Sequence, residues 1–138
     1  MAFHPYLYFG GNCREAFTRY QEIFGGELVI MDGTEAPPDA GIPADKVDLV
    51  MHAALTNGDE LLMASDSYDD DFSPTPGIVV HYSTTEVGRA KAIFADLSDG
   101  GEVEMPGQEV FWSPFYGAVT DRFGTPWQIS VEAPTEGT

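Results

Sequence analysis

The chain has few basic residues, one cysteine and no long apolar run. Six Lys and Arg stand against 23 Asp and Glu, giving a formal net charge of −17 at pH 7. Such a charge repels phosphate backbones, so we expect no nucleic-acid partner. The single cysteine, Cys13, excludes an internal disulfide and favours a cytoplasmic location. The absence of a membrane-length apolar segment and of a signal-peptide pattern predicts no membrane partner.

The acidity itself has two interpretations. It is typical of a solubility or salt-adapted surface, and it would also attract a cationic small molecule. Much of the charge lies in residues 65–72 and in the C-terminal tail, where the composition predicts solvated loops. The sequence leaves both interpretations open.

Two amphipathic segments indicate an internal duplication in a chain of 138 residues, the size of one domain. The first predicts a helix with Asn12 as N-cap, and the second predicts a helix capped by Thr84 or Thr85. Each is followed by Gly-Gly-Glu and a strand, at residues 25–27 and 100–102. The apolar positions that define the two helices are Ala16, Phe17, Tyr20, Ile23 and Phe24, and Val87, Ala90, Ile93, Phe94 and Leu97.

The flanking segments repeat as well. Strand patterns precede the two helices at residues 4–11 and 77–84, and hairpin patterns follow at residues 49–66 and 115–130. Each half therefore predicts strand, helix, strand, strand, strand. We expect an α+β fold and a single domain made of two repeats, about 1–68 and 76–134.

The segments that carry these patterns resemble a known superfamily. Residues 5–27, 51–66 and 111–130, in that order, are similar to the vicinal oxygen chelate superfamily, which includes glyoxalase I, extradiol dioxygenases and bleomycin-resistance proteins. They most resemble its PhnB-like branch, often labelled demethylubiquinone methyltransferase-like. The resemblance implies two βαβββ units whose cupped mixed sheets surround a shared groove (the glyoxalase/bleomycin resistance/dioxygenase fold), and a homodimer.

The same resemblance allows a test for a metal site. Glyoxalase-type members take two metal ligands from each half, on its first and last strands. The matching positions here are Pro5, a residue near Gly77, Leu62 or Met63, and Gln128. Because these side chains are poor ligands for a divalent cation, we expect no metal and no cofactor.

The strand segments supply the candidate ligand contacts. Alternate residues of a cupped sheet point to opposite faces. If Gln128 occupies the ligand position of the family that the chain resembles, it faces the groove and Trp127 faces the core. The turn Asp121–Gly124 is predicted to be structural. The residues predicted to bind a ligand are Tyr6, Tyr8, His52, Met63, Trp112, Tyr116 and Gln128.

Three functions remain compatible with the sequence. The preferred one is a protein that binds a small organic molecule of unknown identity, with a cationic one suited to the acidic surface. The alternative is a superfamily enzyme of lyase, dioxygenase or transferase type, using a shifted metal site or His52 or His81 as acid or base. A third is a protein whose main property is assembly. Whether the chain is an enzyme stays open, because one fold hosts many chemistries.

Overall fold

A computed structural model describes residues 3–37, 39–69, 72–73 and 77–132. The chain divides into two compact units, Met1–Pro74 and Thr75–Thr138. Each contains one helix and one four-stranded sheet in the order strand, helix, strand, strand, strand. The predicted α+β fold of two βαβββ units is therefore confirmed.

The first unit consists of β1, α1, β2, β3 and β4. Their bounds are β1 Tyr6–Phe9, α1 Cys13–Phe24, β2 Glu27–Asp32, β3 Val50–Asn57 and β4 Glu60–Asp66, with short 3-10 turns at Gly33–Glu35 and Ala44–Lys46. The sheet order is β1-β4-β3-β2. Only the β1–β4 pair is parallel, which the connection through α1 allows, whereas β2, β3 and β4 are antiparallel neighbours.

The second unit repeats this plan. Its elements are β5 Val80–Thr84, α2 Val87–Ser98, β6 Glu102–Val110, β7 Ser113–Thr120 and β8 Pro126–Val131. The order is β5-β8-β7-β6, with β5 and β8 parallel. Strand β6 lies at the edge of this sheet, and eight of its nine residues are exposed. Its register with β7 is broken at three places around Pro106.

Aromatic and aliphatic side chains fill the space between each helix and its sheet. In the first unit Phe17 and Tyr20 are fully buried, and the ring of Phe17 meets those of Phe9 and Tyr20 edge-on at 6.1 and 5.3 Å. In the second unit Phe94 packs edge-on against Phe115 at 5.8 Å. These contacts use the apolar helix positions that the sequence predicts.

Buried Asp66 organises the start of α1. Its carboxylate accepts hydrogen bonds from the backbone N–H groups of Gly11 and Cys13, both at 3.0 Å, and of Val50 at 2.9 Å. Asn12 occupies the N-cap position but makes no capping hydrogen bond with its side chain. Asn12 is thus the N-cap residue as predicted, but an aspartate at the end of β4, rather than the Asn12 side chain, satisfies these donors.

The start of α2 also differs from the prediction. The N-cap is Glu86 rather than Thr84 or Thr85, and its side chain makes no capping hydrogen bond. The hydroxyl of Thr84 accepts instead from the backbone N–H of Glu86, at 3.3 Å. Strand β5 extends through Thr84, so the helix begins later than the sequence pattern predicts.

Two buried polar side chains, Asp121 and Ser113, organise hydrogen bonds within the second unit. Asp121, which is buried, accepts from the backbone N–H groups of Phe123 and Thr125 and from the indole Nε1–H of Trp127 at 2.9 Å. Gly124 has a φ of +92°, which only glycine adopts readily. The hydroxyl of Ser113 donates to the carbonyl oxygen of Val131 at 2.8 Å and accepts from its N–H at 3.0 Å. The structural role predicted for the Asp121–Gly124 turn is confirmed.

In the part of the chain that the structure describes, no helix is long and apolar enough to span a membrane.

Candidate ligand-binding site

Each sheet has one face toward its own helix and one away from it. Side chains alternate along a strand, so the buried positions identify the helix-facing side. In the first sheet Ala53, Leu55 and Ala64 are buried toward α1. We call the opposite side of each sheet its open face.

The four ligand-binding residues predicted in the first unit all lie on its open face. Tyr6 pairs with Met63 across β1 and β4, and Tyr8 follows two residues later on the same side. His52 alternates with buried Ala53 on β3 and therefore shares this face. The ring of Tyr6 lies 5.4 Å from that of Tyr8 and 6.0 Å from that of His52.

These four residues form a mainly aromatic surface that is accessible to solvent. Tyr6 is 39% exposed and Tyr8 is 61% exposed, unusual values for side chains that sit on sheet strands. Met63 and His52 are half-buried beside them. Two tyrosine rings, an imidazole and a thioether together offer stacking and dispersion contacts with a few hydrogen-bonding tips.

The open face of the second sheet carries the remaining candidates. Trp127 is 3% exposed and points to α2, which confirms the prediction that it is a core residue. Gln128, its neighbour, therefore lies on the open face. Tyr116 shares that face, since it alternates with buried Phe115 and Gly117.

Trp112 lies in the turn between β6 and β7, next to this face. Its ring is 54% exposed and meets the ring of Tyr116 edge-on at 5.4 Å. Phe111 contacts Trp112 on its other side, with ring centroids 4.7 Å apart. The second unit thus also presents an aromatic cluster, at the end of its sheet.

The sheet register moves two positions of the predicted metal-ligand set, from Pro5 to Tyr6 on β1 and from near Gly77 to His81 on β5. Gly77 precedes β5, which begins at Val80, and so cannot be the first-strand position. The residue paired with Gln128 is His81, just as Tyr6 is paired with Met63 in the first unit. The register therefore moves this position from near Gly77 to His81, because two loop residues separate Gly77 from the strand.

His81 makes a polar side-chain contact on the open face of the second sheet. Its Nε2 atom lies 2.8 Å from the hydroxyl oxygen of Ser130 on β8. Ser83 and Ser130 are direct partners in the β5–β8 register and lie on the same side as His81. Ser130 was not predicted as a site residue, although the alternation of β8 places it on the face of Gln128.

The four corrected strand positions are Tyr6, Met63, His81 and Gln128. Only one of them is an imidazole and none is a carboxylate, so this set lacks the donors of a glyoxalase-type centre. Within residues 3–37, 39–69, 72–73 and 77–132, no group of three or more His, Cys, Asp or Glu is placed to hold a metal ion.

The six basic residues all lie away from the strands. Lys46 is in a 3-10 turn and Arg122 is in the β7–β8 turn, while α1 and α2 carry the other four: Arg14, Arg19, Arg89 and Lys91. Neither sheet therefore contributes a Lys or Arg to its open face. Such faces offer an anionic ligand no fixed cationic side chain.

Cys13 is not a candidate nucleophile. Its side chain is fully buried at the start of α1. Burial, reinforced by the nearby charge of Asp66, raises the pKa of the thiol to about 12. The thiol is therefore protonated at neutral pH and behaves as a small apolar side chain.

The first unit also contains a polar cavity of about 320 Å³ beyond the end of β1. Gly10, Asp45, Lys46 and Asp69 contribute to its lining, and no predicted ligand residue does. The ammonium group of Lys46 donates to the backbone carbonyl oxygen of Tyr68 at its wall. The cavity is separate from the open-face cluster in both lining and chemistry.

Comparison with known proteins identifies the family. The family model described as 3-demethylubiquinone-9 3-methyltransferase matches residues 1–130. The chain belongs to this PhnB-like family. Protein YjdN of Escherichia coli K12 is 32% identical over 147 residues, covering 99% of this chain and 100% of that protein.

Solved structures agree with this assignment. PA1353 from Pseudomonas aeruginosa is 37% identical with a TM-score of 0.87, over 96% of this chain and 98% of that one. A PhnB protein from Bacillus cereus is 26% identical with a TM-score of 0.76, over 95% and 99%. Two structures named as glyoxalase/bleomycin resistance/dioxygenase proteins share the fold. The one from Burkholderia phytofirmans is 9% identical with a TM-score of 0.65, over 94% of this chain and 97% of that one. The one from Sphaerobacter thermophilus is 14% identical with a TM-score of 0.57, over 96% and 98%. The resemblance predicted from the sequence is confirmed.

Proposed function

We propose that this protein binds a small organic molecule, with an aromatic ring, on its open sheet faces. The observation that carries the proposal is the solvent-accessible group of Tyr6, Tyr8 and His52 on β1 and β3, in which the ring of Tyr6 lies 5.4 Å from that of Tyr8 and 6.0 Å from that of His52. Aromatic side chains that serve only the core are buried, as Phe17 and Tyr20 are. Exposed clustered rings instead suit stacking with a ligand.

A cationic ligand is favoured over an anionic one. The net charge of −17 raises the local concentration of cations near the protein. Tyrosine and tryptophan faces attract cations through their ring quadrupoles, and neither sheet supplies Lys or Arg to an open face. On the first sheet Met63 belongs to the same proposed contact surface. On the second sheet the proposed contacts are Trp112, Tyr116 and Gln128.

The aromatic cluster can be tested with thioflavin T, a planar cationic dye that fluoresces when immobilised. We expect saturable binding to the wild-type protein and a Kd about tenfold higher for the double variant Tyr6→Ala, Tyr8→Ala. The matched control is Tyr68→Ala, which removes a tyrosine from the same unit but outside the sheet. Higher salt should weaken binding in all variants, because the long-range attraction is screened.

Unchanged affinity in the double variant, or no saturable binding to the wild type, would overturn the proposal. An equal loss in Tyr68→Ala would also count against it, because the effect would then not be specific to the open face.

We also propose three wider properties of the chain. They are a single domain of two repeats, a cytoplasmic location, and a homodimer that buries part of the exposed apolar surface, including Val29, Met31 and Ile78. Sedimentation at several protein concentrations tests the dimer. A monomer at all concentrations would remove it.

A further inference from the structure

The open face of the second sheet contains a polar pair that the aromatic proposal does not use. His81 and Ser130 lie on the neighbouring parallel strands β5 and β8, and the imidazole Nε2 is 2.8 Å from the serine hydroxyl. His81 is exposed, whereas Ser130 is buried with 7% of its surface accessible. The serine hydroxyl is therefore largely covered by protein, whereas the imidazole is exposed to solvent.

We propose that His81 and Ser130 form a polar recognition point on the open face of the second sheet and accept a hydrogen bond from an ammonium or hydroxyl group of a ligand bound there. This inference rests on the proposed function, and it specifies the chemical group that the ligand must carry.

The hydrogen-bonding chemistry of the pair supports an acceptor role. When the serine hydroxyl donates to Nε2, the serine oxygen keeps lone pairs that can accept from a ligand. When Nε2–H donates to the serine, Nδ1 becomes the available acceptor. Either tautomer of the neutral imidazole thus leaves one acceptor for the ligand.

The surroundings favour a donor group over an anion. The residues that share this face with the pair include Ser83, Gln128, Tyr116 and Ala118. None of these side chains is a cation that could compensate a carboxylate or phosphate. A desolvated anion without such a partner is disfavoured, and the acidity of the whole chain repels it further.

The open face of the second sheet therefore differs from that of the first in its hydrogen-bonding groups. Gln128 pairs with His81 across the strands and adds an amide that can both donate and accept. The equivalent positions of the first unit, Tyr6 and Met63, offer mainly ring and thioether surface. Polar recognition in this protein is thus assigned to the β5–β8 pair.

The test uses four probes that share a phenylethyl or benzyl group and differ in the end group. These are 2-phenylethylammonium, 2-phenylethanol, N,N,N-trimethyl-2-phenylethylammonium and phenylacetate. Binding is followed by NMR of protein with ¹⁵N-labelled histidine, in which the imidazole signals of His4, His52 and His81 are assigned with single variants.

We expect the two donor probes to bind about fivefold more tightly than the trimethyl and carboxylate probes, and to shift the imidazole signals of His81 most. Ser130→Ala and His81→Gln should each remove this preference. Ser83→Ala is the matched control, because Ser83 lies directly opposite Ser130 while the imidazole of His81 bonds to Ser130. The control should keep the preference.

Three results would overturn the inference. Equal binding of the trimethyl and primary ammonium probes would assign recognition to the aromatic rings alone. Tighter binding of phenylacetate would make the site an anion site. Loss of preference in Ser83→Ala equal to that in Ser130→Ala would remove the special role of the pair.

The two proposals fail in different ways. If the probes bind without preference and Tyr6→Ala, Tyr8→Ala still weakens thioflavin T binding, only the polar pair is wrong. If neither thioflavin T nor any of the four probes binds, both proposals are wrong. His81→Gln changes an exposed side chain, so it tests the pair even if Ser130→Ala disturbs folding.

Discussion

The two units share one backbone plan but differ in the side chains that hold it together. In the first, the carboxylate of Asp66 at the end of β4 receives the N–H groups of Gly11, Cys13 and Val50. At the matching end of β8 the second unit has Val131, and the hydroxyl of Ser113 makes the local hydrogen bonds. The two copies of a repeat can therefore share a topology while different side chains satisfy their buried polar groups.

The open faces differ in the same way. The first is mainly aromatic, with Tyr6 and Tyr8 exposed along β1. The second has an aromatic cluster at Trp112 and Tyr116 and, in addition, the polar pair of His81 and Ser130. Once the duplicated backbone exists, exchange of outward-facing side chains changes binding chemistry without disturbing the core.

The largest expected difference between the units concerns these anchors. Asp66→Ala leaves three N–H groups near the start of α1 and β3 without their acceptor, so we expect the free energy of unfolding to fall by about 3 kcal/mol or more. Ser113→Ala should cost about 1–2 kcal/mol, because a neutral hydroxyl is lost. Urea unfolding measures both, with exposed Asp59→Ala as a control of nearly zero effect. An equal or larger cost for Ser113→Ala would contradict this ranking.

A second prediction concerns the packing of α2 on its sheet. A Cβ atom at Gly117 would lie 2.6 Å from the ring of Phe94, whereas the matching residue of the first unit is Ala53. We expect Gly117→Ala to lower stability by about 1–3 kcal/mol through overpacking. The matched control is Gly88→Ala in α2, where a Cβ meets no atom within 4 Å and should stabilise by up to about 1 kcal/mol.

If Gly117→Ala proved neutral, Phe94 would be free to move aside, and α2 would be packed less tightly than its ring contacts indicate.

The first two predictions show what could and could not be read from the chain. Helices and strands follow local periodicity, so the two repeats and the core position of Trp127 were predictable. The role of Asp66 was not, because Asp66 is 53 residues from Cys13 in the sequence and meets it only after β1 and β4 pair. The face of His81 likewise depends on the parallel register of β5 and β8.

At alkaline pH the Cys13 thiol at the start of α1 should make stability depend on pH, and α2 has no matching thiol. The pKa of the Cys13 thiol is raised from 9.0 to about 12, mainly by burial, and α2 has no cysteine. Above pH 9 the thiol ionises in the unfolded chain but not in the folded one, so this group makes stability fall as pH rises from 9 toward 12. Cys13→Ala should show a shallower decline of stability with pH over this window. Identical slopes would mean that the thiol ionises equally in both states.

The smallest effect is expected at two exposed ion pairs, one taken from each unit. Arg14 lies 3.0 Å from Asp32, and Arg122 lies 3.0 Å from Asp99, with exposed side chains at both arginines. Arg14→Ala and Arg122→Ala should each cost less than about 1 kcal/mol. Arg122 also donates to the carbonyl oxygen of Asp99, so its loss should be the greater of the two. Urea unfolding at low and high salt tests the ranking.

Strand β6 bears on how the protein avoids aggregation. An edge strand offers unpaired backbone groups to any passing chain, and a long regular one would invite fibril growth. Here Pro106 removes a donor, the register with β7 is broken three times, and Glu102, Glu104 and Glu109 give the edge like charge. Two copies of this strand repel each other and cannot form a continuous ladder, so the irregularity of β6 protects the protein at high concentration.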